Sequence, residues 1–166
     1  MPRARADGAP HHNTHVTLRL FHGTTEQFDS FDTSCMLGAH FGTATAAEAR
    51  LHDIAGGEGE VREYEITFQN ALEIVDLGTW GFPSVLRELR SKGVLSAAQV
   101  NAAYEANNRS DTEGWAFVKD ALRAAGYDAL RYSNLVEDPG SESFIVLEPE
   151  QIGPCEDDAP SVPRPV

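Results

Sequence analysis

The chain has 166 residues, 41% of them hydrophobic and 23% charged, a size and balance that fit one globular domain with a real core. Its formal charge of −13 repels a phosphate backbone, which excludes nucleic acid as a partner unless basic residues cluster locally. Cys35 and Cys155 lie far apart, the second in a Pro-rich tail, so no disulfide framework or thiolate metal site is legible. No apolar run of about eighteen residues offers a membrane span, and the basic N-terminus lacks the apolar segment of a signal peptide. The expected location is cytoplasmic, with delivery as an effector open.

Residues 1–14 carry Gly, Pro, Arg and His without periodicity, and residues 154–166 are acidic and Pro-rich, so both read as disordered tails around one domain at 15–153. His11, His12 and His15 are dense enough to suggest a metal, but they have no partner cysteines and read as solvated. Val16 to Phe21 is rich in β-branched and apolar residues and predicts a strand that ends at His22. Thr45 and Glu48 form a capping box for a helix that Gly56 and Gly57 stop. In "VREYEITF", Tyr64, Ile66 and Phe68 alternate with polar neighbours, the period-two signature of a half-buried antiparallel strand, and "ALEIVD" is expected to join the same sheet.

Three helices follow, with Ser84, Ser96 and Ser110 or Asp111 as N-caps. The last presents Trp115, Val118 and Leu122 on one face and has Gly126 placed to end it. "DALRY" and "SFIVLEP" return to strands. Strands, helices and strands in that order predict an α+β fold, not a doubly wound sheet.

Three stretches carry possible chemistry. After the first strand, Gly23 leaves room for a ligand to approach the backbone, while His22 and Thr24 offer hydrogen bonds suited to sugar hydroxyls. "GAHFGTATAAEAR" repeats the ingredients: His40 and Phe41 stand between glycines, ahead of a helix N-terminus that can face an anion. "RYSNLVEDPGSESFIVLEPEQI" holds a polar loop, Ser133 to Ser141, that is long for a hairpin and delivers Glu142 and Ser143 to an apolar strand. Trp80, Phe82 and Trp115 are either pocket walls or core.

Read together, these stretches resemble the ADP-ribosyltransferases of the diphtheria-toxin and poly(ADP-ribose) polymerase type, most of all their small bacterial and phage-associated members. His22, Gly23 and Thr24 match that family's His-Gly-Thr/Ser turn. "GAHFGTATAAEAR" is similar to its Gly-x-Tyr-Phe-Ala/Ser segment, with His40 in the tyrosine's place. "SESFIVLEPEQI" is similar to its Asn-Glu-Tyr-Ile-Val-Tyr segment and later Gln. The resemblance runs from about Leu18 to Ile152, and the "GYDAL" and "ALEIVD" segments share it.

The resemblance implies an ADP-ribosyltransferase-like split antiparallel β-sandwich with flanking helices, and a mono-ADP-ribosyltransferase using NAD as substrate and releasing nicotinamide. It implies that His22, Gly23, Thr24 and Ser143 hold NAD, that His40 and Phe41 border the nicotinamide, that His22 and His40 serve catalysis with Glu142, and that Asn134 and Glu137 lie beside the acceptor. Arg19 and Arg50 are candidates for the pyrophosphate. The acceptor is unidentified, a protein being favoured over nucleic acid. Aligning "FIVL" and Gln151 puts Ser143 at the position of the family's catalytic glutamate, and a bulge would be needed to turn Glu142 inward as the catalytic acid. Two further readings stand beside this one: a catalytically weak NAD or ADP-ribose binding module, and a tRNA 2′-phosphotransferase-like enzyme. Against the latter, Phe21 occupies the position where those enzymes carry an arginine.

Overall fold

Val16, Leu18, Leu20 and His22 alternate onto one side of the first strand, and that alternation sets the architecture. The computed structural model describes residues 14–25, 31–56 and 58–155, so of the expected tails at 1–14 and 154–166 all but residues 14, 154 and 155 lie outside the described residues. Strand β1 (Val16–Thr24) pairs antiparallel with β3 (Glu60–Phe68), which pairs with β7 (Ile152–Pro154). A second sheet has the order β2 (Ala39–Phe41), β6 (Glu142–Val146), β5 (Ala129–Ser133), β4 (Ala71–Glu73). With helices α1 (Ala44–Ala55), α2 (Phe82–Ser91), α3 (Ala97–Arg109) and α4 (Asp111–Ala124), the chain is an α+β protein with two sheets, neither closed.

The two sheets face each other across Ala39, Phe41, Ile66, Phe68, Phe144 and Val146. The other face of the four-stranded sheet presents Leu130, Tyr132, Ile145 and Leu147 to Leu86, Leu89, Val118 and Leu122 of the helices. At one end the sheets fork from a single bridge, in which Phe21 N donates to Gly42 O at 2.8 Å and Gly42 N to Phe21 O at 3.0 Å. At the other end Gln151 staples them: its amide donates to Thr67 O and Asp128 O, and its carbonyl accepts from Leu147 N and Glu148 N.

Several local expectations need correction. β1 does not end at His22; it continues to Thr24, with His22 opposite Arg62 and Gly23 opposite Val61. β4 does not share a sheet with β3 but pairs in parallel with β5, so the four-stranded sheet is mixed. The cap of α1 is Thr43, whose hydroxyl accepts from Ala46 N, and not Thr45 with Glu48. α2 starts two residues before Ser84, with Gly81 as its cap and Pro83 in its first turn, where a fixed φ and a missing N–H cost nothing. Ser96 and Ser110 cap α3 and α4 as expected, Ser96 in a capping box with Gln99. Order extends past the expected boundary at 153, since Pro154 lies in β7 and Cys155 is buried.

Candidate functional site at the fork of the two sheets

The fork brings the first two sequence motifs together, but by packing and not around one open cleft. His22 Nδ1 donates to the His40 carbonyl at 2.7 Å. Because a carbonyl only accepts, this bond fixes the neutral ring's proton on Nδ1 and leaves Nε2 as an acceptor. The His22 ring lies among Phe31, Phe41 and Tyr64, at centroid distances of 5.2, 5.3 and 6.4 Å. The His40 ring lies on the opposite face, against Trp80 at 5.2 Å and Tyr132 at 6.1 Å. Alternation along β2 explains this, since Ala39 and Phe41 face the sheet-on-sheet core and His40 between them faces the helices.

Gly23 lies where α1 crosses β1, at the edge of the small space beside His40. A Cβ there would stand 2.8 Å from Ala47 O and 3.2 Å from Leu51 Cβ, so the glycine lets α1 cross β1 closely. At Gly42 a Cβ would stand 2.5 Å from Ser143 Oγ. Phe41 is core, and Thr24 is a strand residue opposite Glu60.

Glu142 and Ser143 divide as strand alternation requires, with no bulge between them. Glu142 is exposed and faces Arg131, Oε1 to Nε 3.6 Å, on the side away from His40. It therefore does not reach the site assigned to it from the sequence. Ser143 is buried on the His40 side, opposite Tyr132. Asn134 Nδ2 donates to Ser143 Oγ at 2.7 Å and to Ser141 Oγ at 2.9 Å, Ser143 lies within hydrogen-bond reach of Tyr132, and Tyr132 Oη lies 3.1 Å from His40 Nδ1. Burial pushes the Tyr132 phenol up to about 12, so it keeps its proton. Asn134, Ser143, Tyr132 and His40 Nδ1 therefore form one hydrogen-bonded run, with the Asn134 amide donating at its loop end.

Asn134 belongs to the base of the loop and not to an acceptor surface. It is buried, its N–H donates to Ser141 O at 2.8 Å, and its Oδ1 has no hydrogen-bond partner among the described residues. A buried acceptor left this way costs about 1–3 kcal/mol, so the position is held at the expense of stability.

Glu137 is the carboxylate that the loop brings to the His40 face. It stands 3.5 Å from Arg50 Nη1 on α1, and the next residue, Asp138, accepts from Thr43 Oγ1 at 2.6 Å. Burial raises the Glu137 carboxyl above its ordinary value, Arg50 opposes that, and Asp76 and Asp53 add to it. Between α1, His40, Tyr132, Ser143 and Glu137 only about 10 Å³ is free. On the other side of Glu137 a cavity of about 150 Å³ is lined by Arg50, Asp53, Asp76, Trp80, Tyr132 and Val136. Neither space holds a dinucleotide as it stands, which needs several hundred Å³.

The sequence reading missed Tyr132, Asp76 and Asp53. A tyrosine closing a strand before a polar loop was the one available sign. Phe82 and Trp115, weighed as pocket walls, are core and pack edge to face at 5.0 Å, whereas Trp80 does line the cavity. Among the described residues no group of three or more His, Cys, Asp or Glu is placed to hold a metal, and no helix is long and apolar enough to cross a membrane.

Burial holds the His22 imidazole below its ordinary value and that of His40 well below, with Arg50 adding to both. Each ring therefore binds a proton less readily folded than unfolded. Their contribution to stability is complete above the unfolded value of 6.5 and is lost as pH falls below it toward the folded values. By NMR we expect both rings to carry less charge at pH 6.5 than a free histidine does, His40 the least, and the melting midpoint to fall under more acid conditions. Rings that titrate at the ordinary value would contradict this.

No family model matches the chain. No curated protein matches it either. Among solved structures, one described as the crystal structure of an anti-CRISPR protein is similar, with a TM-score of 0.36 and 16% identity over 82% of this chain and 93% of that one.

Proposed function

We propose that the protein is an NAD-dependent mono-ADP-ribosyltransferase with a split β-sandwich of that family's kind, acting on the His40 side of the fork. The observation that carries the reading is a half-buried carboxylate, Glu137, facing Arg50 beside an aromatic wall of His40, Trp80 and Tyr132. NAD as substrate supplies a glycosidic bond whose cleavage leaves positive charge on a ribose. A desolvated carboxylate close by stabilises such charge, and a raised pKa suits it to accept a proton from an acceptor. In this reading Glu137 takes the role that the family resemblance gave to Glu142. His40 and Trp80 offer faces for a planar ring, and Arg50 meets a phosphate.

Entry of NAD requires Glu137 and Asp138 to move off α1. The Arg50–Glu137 pair, partly exposed on both sides, is worth about 0–1 kcal/mol, and the Thr43–Asp138 bond about 1.5–3 kcal/mol. That sum is within the binding energy of a micromolar ligand, about 8 kcal/mol. Moving the loop frees Arg50 where a phosphate needs it.

The outward face of Glu142 favours a second reading, a binding module for NAD or ADP-ribose that turns over little. Titration with NAD, followed by assay of released nicotinamide, separates the two. Saturable binding with release supports the transferase, binding without release supports the module, and no binding removes both.

A further inference from the structure

Three large apolar side chains beside the candidate site stand in water: Val136 is 77% exposed, Leu135 68% and Val75 57%. Val75 and Leu135 line a groove of about 260 Å³ together with Ile74, Arg131 and Tyr132. Val136 continues the patch onto the cavity that holds Glu137, and Tyr132 lines both spaces. The groove therefore opens beside the His40 network.

The backbone that carries Leu135 is tied to its neighbours. Leu135 N donates to Asp76 Oδ2 at 3.1 Å, Asp76 Oδ1 accepts from Gly78 N at 2.9 Å, and Asn134 closes the loop's base against Ser141. Covering exposed apolar surface favours binding, and a backbone already tied at Leu135 loses less freedom on binding. The surroundings add a sign. Carboxylates of Glu73, Asp76 and Glu142 line the groove, with Glu137 and Asp53 in the adjoining cavity. Both nearby cations are already matched: Arg131 faces Glu73 at 2.6 Å and Glu142 at 3.6 Å, and Arg50 faces Glu137. The rim is left with surplus negative charge, which attracts a basic segment and repels a nucleic-acid backbone.

We infer that the groove formed by Val75, Leu135 and Val136 is a docking surface for a protein segment that presents an aliphatic side chain flanked by lysine or arginine. The role of that segment as the acceptor's rests on the reading proposed above; the surface itself is testable without NAD.

Short fluorescent peptides carrying leucine between lysines are the probe, with leucine-to-serine and lysine-to-glutamate versions beside them, at about 0.15 M salt. The first should bind saturably, and either replacement should weaken binding about tenfold or more. The double variant Leu135→Asp, Val136→Asp should also weaken binding about tenfold or more. Those substitutions add negative charge, so a purely electrostatic contact would tighten instead. Both side chains are exposed, and a melting curve confirms that the variant folds.

Tyr104→Asp, at an exposed apolar position on α3, should leave peptide affinity unchanged. Absence of saturable binding, equal binding of the serine peptide, or an undiminished double variant would overturn the inference, as would an equal loss in Tyr104→Asp. NAD binding is measured on the same variants. Peptide binding without NAD binding upholds the surface and removes the transferase reading; NAD binding without peptide binding overturns the surface and leaves the site reading to the assay of released nicotinamide.

Discussion

Glu137→Gln is expected to slow nicotinamide release by about 10²–10⁴-fold, while Glu142→Gln leaves it unchanged. The two carboxylates are five residues apart and belong to opposite faces. Glu142 pairs with exposed Arg131, whereas Glu137 reaches across the loop to Arg50 beside His40 and Tyr132. Glutamine keeps the size of the side chain and an oxygen that can still accept from Arg50, but it removes the charge that would stabilise the ribose cation and the base that would take the acceptor's proton. The effect should therefore fall on kcat. KM for NAD should hold or decline, because the clasp between the loop and α1 is weaker. Arg50→Gln should do the opposite and raise KM, since it removes the cation offered to phosphate. Both glutamates are partly exposed, so neither change threatens the fold. Loss of release in Glu142→Gln with retention in Glu137→Gln would place the chemistry on the other face of β6.

Gly38→Ala should be among the most damaging single-methyl additions, costing about 3 kcal/mol or more, at the upper end for overpacking. A Cβ at this position would lie 2.2 Å from Val146 O and 2.8 Å from Ile145 Cγ2. The first of these is backbone of β6, the strand between β2 and β5, so no rotamer change relieves the clash. Strand β2 would have to lift away from β6, losing the Ala39–Val146 register and displacing His40. For a chain of this length the midpoint should drop by roughly 6–12 °C, at 2–4 °C per kcal/mol. Gly81→Ser makes the contrast: nothing but Pro83 Cδ at 3.9 Å lies near, and serine supplies the side-chain cap α2 lacks, so stability should hold or rise by a few tenths of a kcal/mol. Equal behaviour of the two variants in thermal melts would contradict the packing described for β2.

What was legible in the sequence was local. Ser96 with Gln99 and Ser110 announce α3 and α4 because a cap and its partner lie three residues apart, and the alternation in β3 shows because its partners repeat along one face. What failed depended on distant residues. The extension of β1 through His22 and Gly23 comes from β3 continuing opposite it, and Thr43 serves as the cap of α1 while also bonding Asp138 far along the chain. The parallel pairing of β4 with β5 is set by residues 58 positions apart, which no local pattern records.

The site followed the same rule. The sequence brought His22 and His40 together, and the bond from the His22 ring to the His40 carbonyl does join them, but the pleat of β1 and β2 puts their rings on opposite faces. Gly23 shows the ambiguity most plainly: a bare Cα cleared for a helix and one cleared for a ligand look alike in a sequence, and here the helix occupies the space. Glu137 was legible only as a loop residue that the resemblance sets beside the acceptor, because Arg50, which fixes its direction, is 87 positions away.

Titration with NAD, followed through the ring NMR signals of His40 and His22 and the indole of Trp80, tests the placement of the site most directly. Saturable shifts are expected at His40 and Trp80, with the larger change at His40 as the loop leaves α1. Signals that stay fixed while NAD is raised to millimolar levels, or saturable binding that moves neither His40 nor Trp80, would contradict that placement.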